Sequence, residues 1–317
     1  MKTRNFCLFA LLAAPVLAGP EEPMTVSAPD AWSAPMGFDE VIRPITNSVF
    51  HDSAVPRTQA RLIFIHNEHP DQLSTSIGDV DAGGDFQLYA LQLEYAFTER
   101  FSLVAAKDGY IDFNPSSGSP LEQRDGWANI AAGVKYAFIY NPERQYIMSG
   151  IATVEIPTGN GDVWQGRGDG AINLALASTK RWGNFQLSGS FGAQIPFDDA
   201  QSLTSFVSLH TSYEIVPWFI PLVELNWFSV LDEGDGSISF GDQPVNDPAE
   251  PRFEGDGLIN FGSGFADRGD DLVTLGVGFR SRLSECLTSG FAWEFPLTDD
   301  EETLIDDRFT FDLIWEF

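Results

Sequence analysis

Cysteine is nearly absent from this chain: only Cys7 and Cys286 occur in 317 residues. Cys7 lies in an N-terminal apolar run, so the remainder keeps Cys286 alone, which excludes an intramolecular disulfide and any metal site built from cysteines. Basic residues are scarce as well, with 18 Lys and Arg against 46 Asp and Glu. A nucleic-acid binder needs a basic face, and none can be assembled here. After residue 18 no stretch approaches the ~20 continuous apolar residues that a membrane helix requires. Amphipathic helical patterns are also missing.

What is present is alternation. The chain ends Phe309-Thr-Phe-Asp-Leu-Ile-Trp-Glu-Phe317, which places Phe309, Phe311, Leu313, Trp315 and Phe317 on one face of a strand and Thr310, Asp312 and Glu316 on the other. Candidate strands run near 57–67, 85–98, 100–113, 127–140, 146–157, 171–180, 184–196, 203–215, 220–231, 272–283, 286–296 and 308–317. Several alternate cleanly: Phe185, Leu187, Phe191 and Ile195 oppose Gln186, Ser188, Ser190 and Gln194. The strand at 100–113 is ambiguous, since neither face is uniformly apolar. Short connections such as Thr98-Glu99-Arg100 and Arg181-Trp-Gly183 alternate with long polar ones at 68–84, 114–126, 158–170, 197–202, 232–271 and 297–307. Repeated ~10-residue alternation with turns sorted by length predicts an all-β, transmembrane, up-and-down antiparallel barrel of about 12 strands, with short periplasmic turns and long extracellular loops. Trp182, Trp218, Tyr140 and Tyr146 beside the short turns suit an interfacial aromatic girdle.

Residues 1–18, with Lys2 and Arg4, an apolar run and Val16-Leu17-Ala18, read as a secretory signal peptide. Its removal takes the net charge from −28 to −30. Residues 19–56 do not alternate and are expected to form a periplasmic tether or a plug, packing against the periplasmic mouth; residues 57–317 form the barrel. The closing strand resembles the C-terminal signal read by the barrel-assembly machinery of the bacterial outer membrane. Lipids, lipopolysaccharide, that machinery and a small solute are the expected partners of an outer-membrane protein in a Gram-negative cell.

Between 125 and 180 the chain carries Gly126-Trp-Ala-Asn-Ile-Ala-Ala-Gly133-Val134-Lys135-Tyr136, then Ile151-Ala-Thr-Val-Glu-Ile-Pro157-Thr158-Gly159-Asn160, then Gly168-Asp169-Gly170. These motifs resemble the "putative meta-pathway of phenol degradation" outer-membrane family, whose members carry a similar glycine-rich stretch followed by P-T-G. Asn129 stands where the family commonly has Asp. The resemblance implies a transporter-like barrel passing small, aromatic molecules. Physically, Pro157 ends a strand, Gly159 permits a positive φ, and Gly133 leaves lumenal space.

Charge on the lipid face near the midplane costs ~2–4 kcal/mol for Arg or Lys, so strand charges belong in the lumen. Glu94, Asn129, Lys135, Glu155, His210, Glu214, Glu224, Arg280, Arg282, Glu294 and Asp312 are the lumen-lining candidates. They describe either a narrow, partly obstructed channel or a barrel filled with salt bridges. His210 and Ser208 point inward and, with Glu224, raise an embedded hydrolase, but no G-x-S-x-G elbow accompanies them and no enzymatic activity or cofactor is expected. His66 and His69 lack a third metal ligand. Eleven acids oppose only Arg252 and Arg268 between 232 and 271, and Asp299, Asp300, Glu301, Glu302, Asp306 and Asp307 crowd the next loop. Such loops could hold Ca²⁺, although EF-hand spacing is missing, and they would draw cations to a pore mouth. Passive passage of a small molecule is the expected function. The alternative is a closed structural or surface-interaction barrel presenting its acidic loops.

Overall fold

A computed structural model describes residues 37–75, 78–119, 121–235, 256–259, 267–299 and 303–317. The leader at 1–18, the first part of the 19–56 segment and the acids Asp242, Asp247, Glu250, Glu254, Asp300, Glu301 and Glu302 lie outside the described residues.

Twelve antiparallel strands close into a barrel. They are β1 (Gln59–His69), β2 (Gly84–Thr98), β3 (Phe101–Lys107 continuing as Tyr110–Pro115), β4 (Arg124–Trp127 continuing as Ile130–Asn141), β5 (Tyr146–Ile156), β6 (Ala171–Trp182), β7 (Phe185–Pro196), β8 (Leu203–Tyr213), β9 (Ile220–Asp232), β10 (Asp271–Arg282), β11 (Leu287–Pro296) and β12 (Asp307–Glu316). Each pairs with its chain neighbour, and β1 closes the ring by pairing with β12, Ile63 opposite Asp312. Full closure removes the unpaired edges that an open sheet would present. No helix is long and apolar enough to cross a membrane among the described residues.

One face of every strand is apolar and exposed. Leu62, Tyr89, Leu91, Leu93, Tyr95, Tyr136, Phe191, Leu209 and Phe311 are each roughly 40–55 % exposed. A soluble monomer rarely shows contiguous apolar area beyond a few hundred Å². A belt that runs around the whole barrel is a lipid-facing surface. Phe311 and Phe317 are exposed, and Phe309, Leu313 and Trp315 lie partly exposed on the same face.

The ambiguity at 100–113 has a local cause. The pairing of β3 slips between Ala105 and Lys107, so one extra residue reverses its faces. Ser102 and Val104 face inward below the slip, Lys107, Ile111 and Phe113 above it. Asp108 caps the disturbed ladder by accepting the Leu91 N–H at 2.8 Å.

Candidate functional site

The lumen is lined in two tiers. Near the short-turn end and through the middle it is polar, with Gln59 and Arg61 on β1, Gln92 and Glu94 on β2 and Lys135 on β4 all buried. Toward the long-loop end the wall formed by β1–β3 turns apolar, where Ile63, Ile65, Phe86, Leu88, Ile111 and Phe113 form one cluster with Trp164, Leu258 and Leu304 from the loops. His69, Phe86, Phe113 and Trp164 make ring contacts there with centroids 4.5–5.5 Å apart.

Residues 37–58 run through this lumen. Ile42 and Ile45 reach the mid-barrel wall, and Phe50 packs between Phe206 and Phe228 on β8 and β9. The segment therefore extends well beyond the mouth. It forms no strand; tight turns at 38–41 and 47–51 meet part of its backbone internally, and inward side chains meet much of the rest. Ile45 N–H (3.0 Å), Thr46 N–H (2.7 Å) and the Thr46 hydroxyl (2.6 Å) all donate to the Glu224 carboxylate. Backbone outside a sheet or helix in a dry interior must find such partners, because unpaired N–H and C=O groups are costly there.

The inward charges are paired in discrete groups. Asp312 accepts from Arg61 Nε at 2.7 Å and from two guanidinium nitrogens of Arg280 at 2.7 and 2.9 Å, with all three side chains fully buried. Lys135 bridges Glu94 (3.0 Å) and Asp52 of the segment (2.8 Å), and Asp52 also meets Arg43 at 2.9 Å. Lys107 and Asn129 both donate to Glu155, at 2.7 and 2.8 Å. Glu294 accepts from Asn226 at 2.9 Å and faces Arg308, which is paired with Asp256. At the short-turn end Glu214 takes Arg181 (2.9 Å) and Arg282 (2.8 Å); these two positions, Glu214 and Arg282, are the least enclosed of the eleven candidates. Sequence reading missed Arg57, Arg61, Lys107, Arg181 and Arg308. Parity along their strands would have found Arg61, Arg181 and Arg308; Lys107 is hidden by the slip in β3, and Arg57 precedes the first strand.

His210 Nδ1–H donates to Glu224 (2.7 Å) and its Nε2 meets the Ser212 hydroxyl (3.0 Å), whereas Ser208 accepts from Asn47 at 2.9 Å. The triad-like order is thus Ser212–His210–Glu224, fully enclosed, and its carboxylate is occupied by the segment's N–H groups. Its evident task is to hold Glu224 in position. His66 and His69 fall on opposite faces of β1 and bond to different partners, Gln87 and the Leu304 carbonyl, so they cannot share a metal. At the outer rim Glu68, Asp306 and Asp307 bring ligand atoms within 4.8 Å of one another, an exposed acidic group.

Asn129 explains the P-T-G stretch. Its Oδ1 accepts the N–H groups of Gly159 (3.0 Å) and Gly166 (2.8 Å), while its own N–H donates to Gln165 at 3.1 Å. An amide can accept twice and still donate to Glu155, which a carboxylate cannot. Gly159 does not adopt a positive φ; it is needed because a Cβ there would lie 2.5 Å from the Gln165 side chain and 2.7 Å from the Trp127 carbonyl, whereas Gly166 and Gly170 take positive φ of 69° and 94°. Asn129→Ala should strand these groups at about 1–3 kcal/mol for the site. The measurable outcome is rapid proteolytic nicking between 157 and 170 in an otherwise intact barrel.

A closed twelve-strand barrel with a continuous apolar exterior and a charged lumen defines the class: a bacterial outer-membrane β-barrel, located in the outer membrane of a Gram-negative cell. The family described as "Putative MetA-pathway of phenol degradation" matches residues 71–249, more than half of the chain, and the protein belongs to that family. Its fold is similar to that of the COG4313 outer membrane channel from Pseudomonas putida F1, with a TM-score of 0.58 at 14% identity over 83% of this chain and 96% of that one. The NanC porin (TM-score 0.49, 5% identity, 82% and 100% coverage) and a Pseudomonas aeruginosa FadL homologue (0.43, 8%, 90% and 96%) resemble it more loosely. No curated protein matches the chain. At these identities the likeness is one of fold.

Proposed function

We propose that this protein is an outer-membrane channel for passive passage of a small, aromatic or otherwise hydrophobic molecule, and that residues 37–58 are its gate. The observation that carries this reading is that the segment fills the lumen without contributing a strand to the wall. β1 pairs with β12 and β2 directly, so the occupant can leave while the ring stays closed. Among the described residues the voids beside the segment include two of about 10 Å³ next to Ser48 and Val49, and one of about 70 Å³ at the short-turn end next to Arg43 and Arg57. A void near 10 Å³ holds about one water. In this reading the segment in its seat is the closed state of the channel.

The apolar upper tier supports the solute class. Phe86, Phe113 and Trp164 offer ring faces and edges to an aromatic guest, and Ile63, Ile65 and Ile111 offer dry surface. The acidic outer loops raise the local concentration of cations at the mouth.

Single-channel recording in planar bilayers tests the reading. The mature chain should be nearly silent, whereas Gly276→Val should conduct, because a Cβ at Gly276 would lie 2.7 Å from Thr46 Cγ2 and force the segment off the wall. Small phenols should then block the current, and Phe113→Ser should weaken that block about tenfold, a loss near 1.4 kcal/mol. The alternative of a permanently closed surface barrel draws on the filled lumen itself. A correctly folded Gly276→Val chain that stays silent would decide for it.

The apolar face of β12 ending at Phe317 acts, in this reading, as the assembly signal. Removing Phe317 should lower the amount of barrel inserted in cells while leaving the melting of inserted barrels unchanged.

A further inference from the structure

The lumen wall treats residues 37–56 as a bound peptide. Gln186 on β7 reads Ile42 in both directions, accepting its N–H at 2.9 Å and donating to its carbonyl at 2.8 Å. Glu224 takes the N–H groups of Ile45 and Thr46. Arg280 donates to the carbonyls of Arg43 and Pro44, and Arg61 to those of Pro44 and Ile45. Gln92 reaches the Ser48 carbonyl at 2.8 Å, and Ser149 reaches that of Ala54.

These groups do not depend on the segment for their own placement. Glu224 is held by His210, which is held by Ser212; Gln186 donates to Ser188 at 2.9 Å; Arg61 and Arg280 are locked by Asp312. The wall also has room shaped for side chains. A Cβ at Gly276 would meet Thr46, and one at Gly290 would lie 2.9 Å from Ile45 Cδ1. Phe50 inserts among Phe206, Phe228 and Leu272. A seat whose donors and acceptors are fixed before the occupant arrives binds at low ordering cost.

We propose that the lumen is a receptor for a peptide that turns at Asn47–His51, with residues 37–56 as its tethered occupant, so that a free peptide of that sequence can take the same seat. The inference rests on the reading of this segment as the gate. Recognition runs mainly through backbone N–H and C=O groups, with Ile45 and Phe50 fixing register. The ligand class is therefore a peptide with a tight turn between two apolar side chains.

The test uses the full mature chain carrying Ile42→Pro and Ile45→Pro. These changes remove the N–H that Gln186 accepts and one of the two N–H groups that Glu224 accepts, and leave the wall untouched. A fluorescent synthetic peptide of residues 37–56 should bind this variant saturably by anisotropy and should bind the unaltered chain, whose seat is filled, at least tenfold more weakly. The same peptide N-methylated at Ile45 and Thr46 should lose tenfold or more in affinity. Equal binding of parent and methylated peptides, or no binding to a variant shown folded by its heat-modifiable gel mobility, overturns the proposal. Should the double variant fail to fold, hydrogen exchange on the unaltered chain decides. Amides of Ile42, Ile45 and Thr46 slowed a hundredfold or more support the seat, and exchange at free-peptide rates overturns it. Because binding is read without current, the two readings separate. A variant that binds peptide but passes no ions defeats the gate and keeps the seat; one that conducts and ignores the peptide does the reverse.

Discussion

Deleting residues 37–56 is expected to raise single-channel conductance on the order of tenfold or more, since a barrel of about 12 strands is wider than the side-chain-filled 8-stranded barrels and narrower than open porins of 16–18 strands. The wall should survive the loss because its charges are mostly paired with one another. Asp312 keeps Arg61 and Arg280, Glu224 keeps His210, and Glu155 keeps Lys107. Arg43 and Asp52 depart together as a pair, and Lys135 retains Glu94 at 3.0 Å. The cavity left behind would fill with water against a charged lower wall. A reversal potential under a salt gradient should report cation preference, set by the acidic loops and weakened by salt. A folded deletion chain with no conductance would refute the gate.

The second large effect is on stability. Asp312→Ala leaves two guanidinium groups buried without a counter-charge, and breaking a buried pair in this way costs about 3–5 kcal/mol. The cost falls on the seam, because Asp312 on β12 reaches Arg61 on β1 across the closing strand pair. Unfolding of inserted barrels in urea, followed by gel mobility, should shift accordingly. Replacing all three residues together, Arg61→Met, Arg280→Met and Asp312→Leu, should recover most of the loss, since a matched apolar set carries no desolvation penalty. Glu285→Gln, at an exposed short turn, should be neutral within about 1 kcal/mol.

The two outcomes separate roles that share the same polar lining. Asp312 holds the wall together and positions the arginines, so its loss should weaken the barrel. The segment's acids Asp52 and Glu40 meet Lys135 and Arg181, which keep Glu94 and Glu214 without them, so loss of the segment should open the lumen at small cost to the wall. A variant set that lowered stability and raised conductance together at every position would contradict this division.

Strands were legible because alternation is a local property: the inward candidates Glu94, Lys135, Glu155, His210, Glu224, Arg280, Glu294 and Asp312 lie at positions of the right parity, and all are buried inside the barrel. Parity failed where the backbone slips, at Ala105–Lys107 and again after Ala137, where Ile139 turns outward and Tyr140 packs on Phe38, since an inserted residue reverses the side chains that follow. The P-T-G motif was legible as a turn, but the part played by Asn129 was not, because its partners Gly159 and Gly166 are 30 and 37 residues away. The path of residues 37–58 was the least legible. An irregular chain whose hydrogen bonds go largely to side chains of other elements leaves no period in its own sequence.

The sequence by itself determined the twelve-strand barrel, its lipid and lumen faces, its family and its membrane, because each follows from two-residue periodicity, turn spacing or a contiguous motif. Only the tertiary structure decided which charges meet across the barrel, that Ser212 rather than Ser208 backs His210, and that the N-terminal segment runs through the lumen. Those pairings depend on strand register and on contacts between residues as much as 259 positions apart, as with Arg57 and Glu316. Closure of the ring sets that register, and no local pattern encodes it.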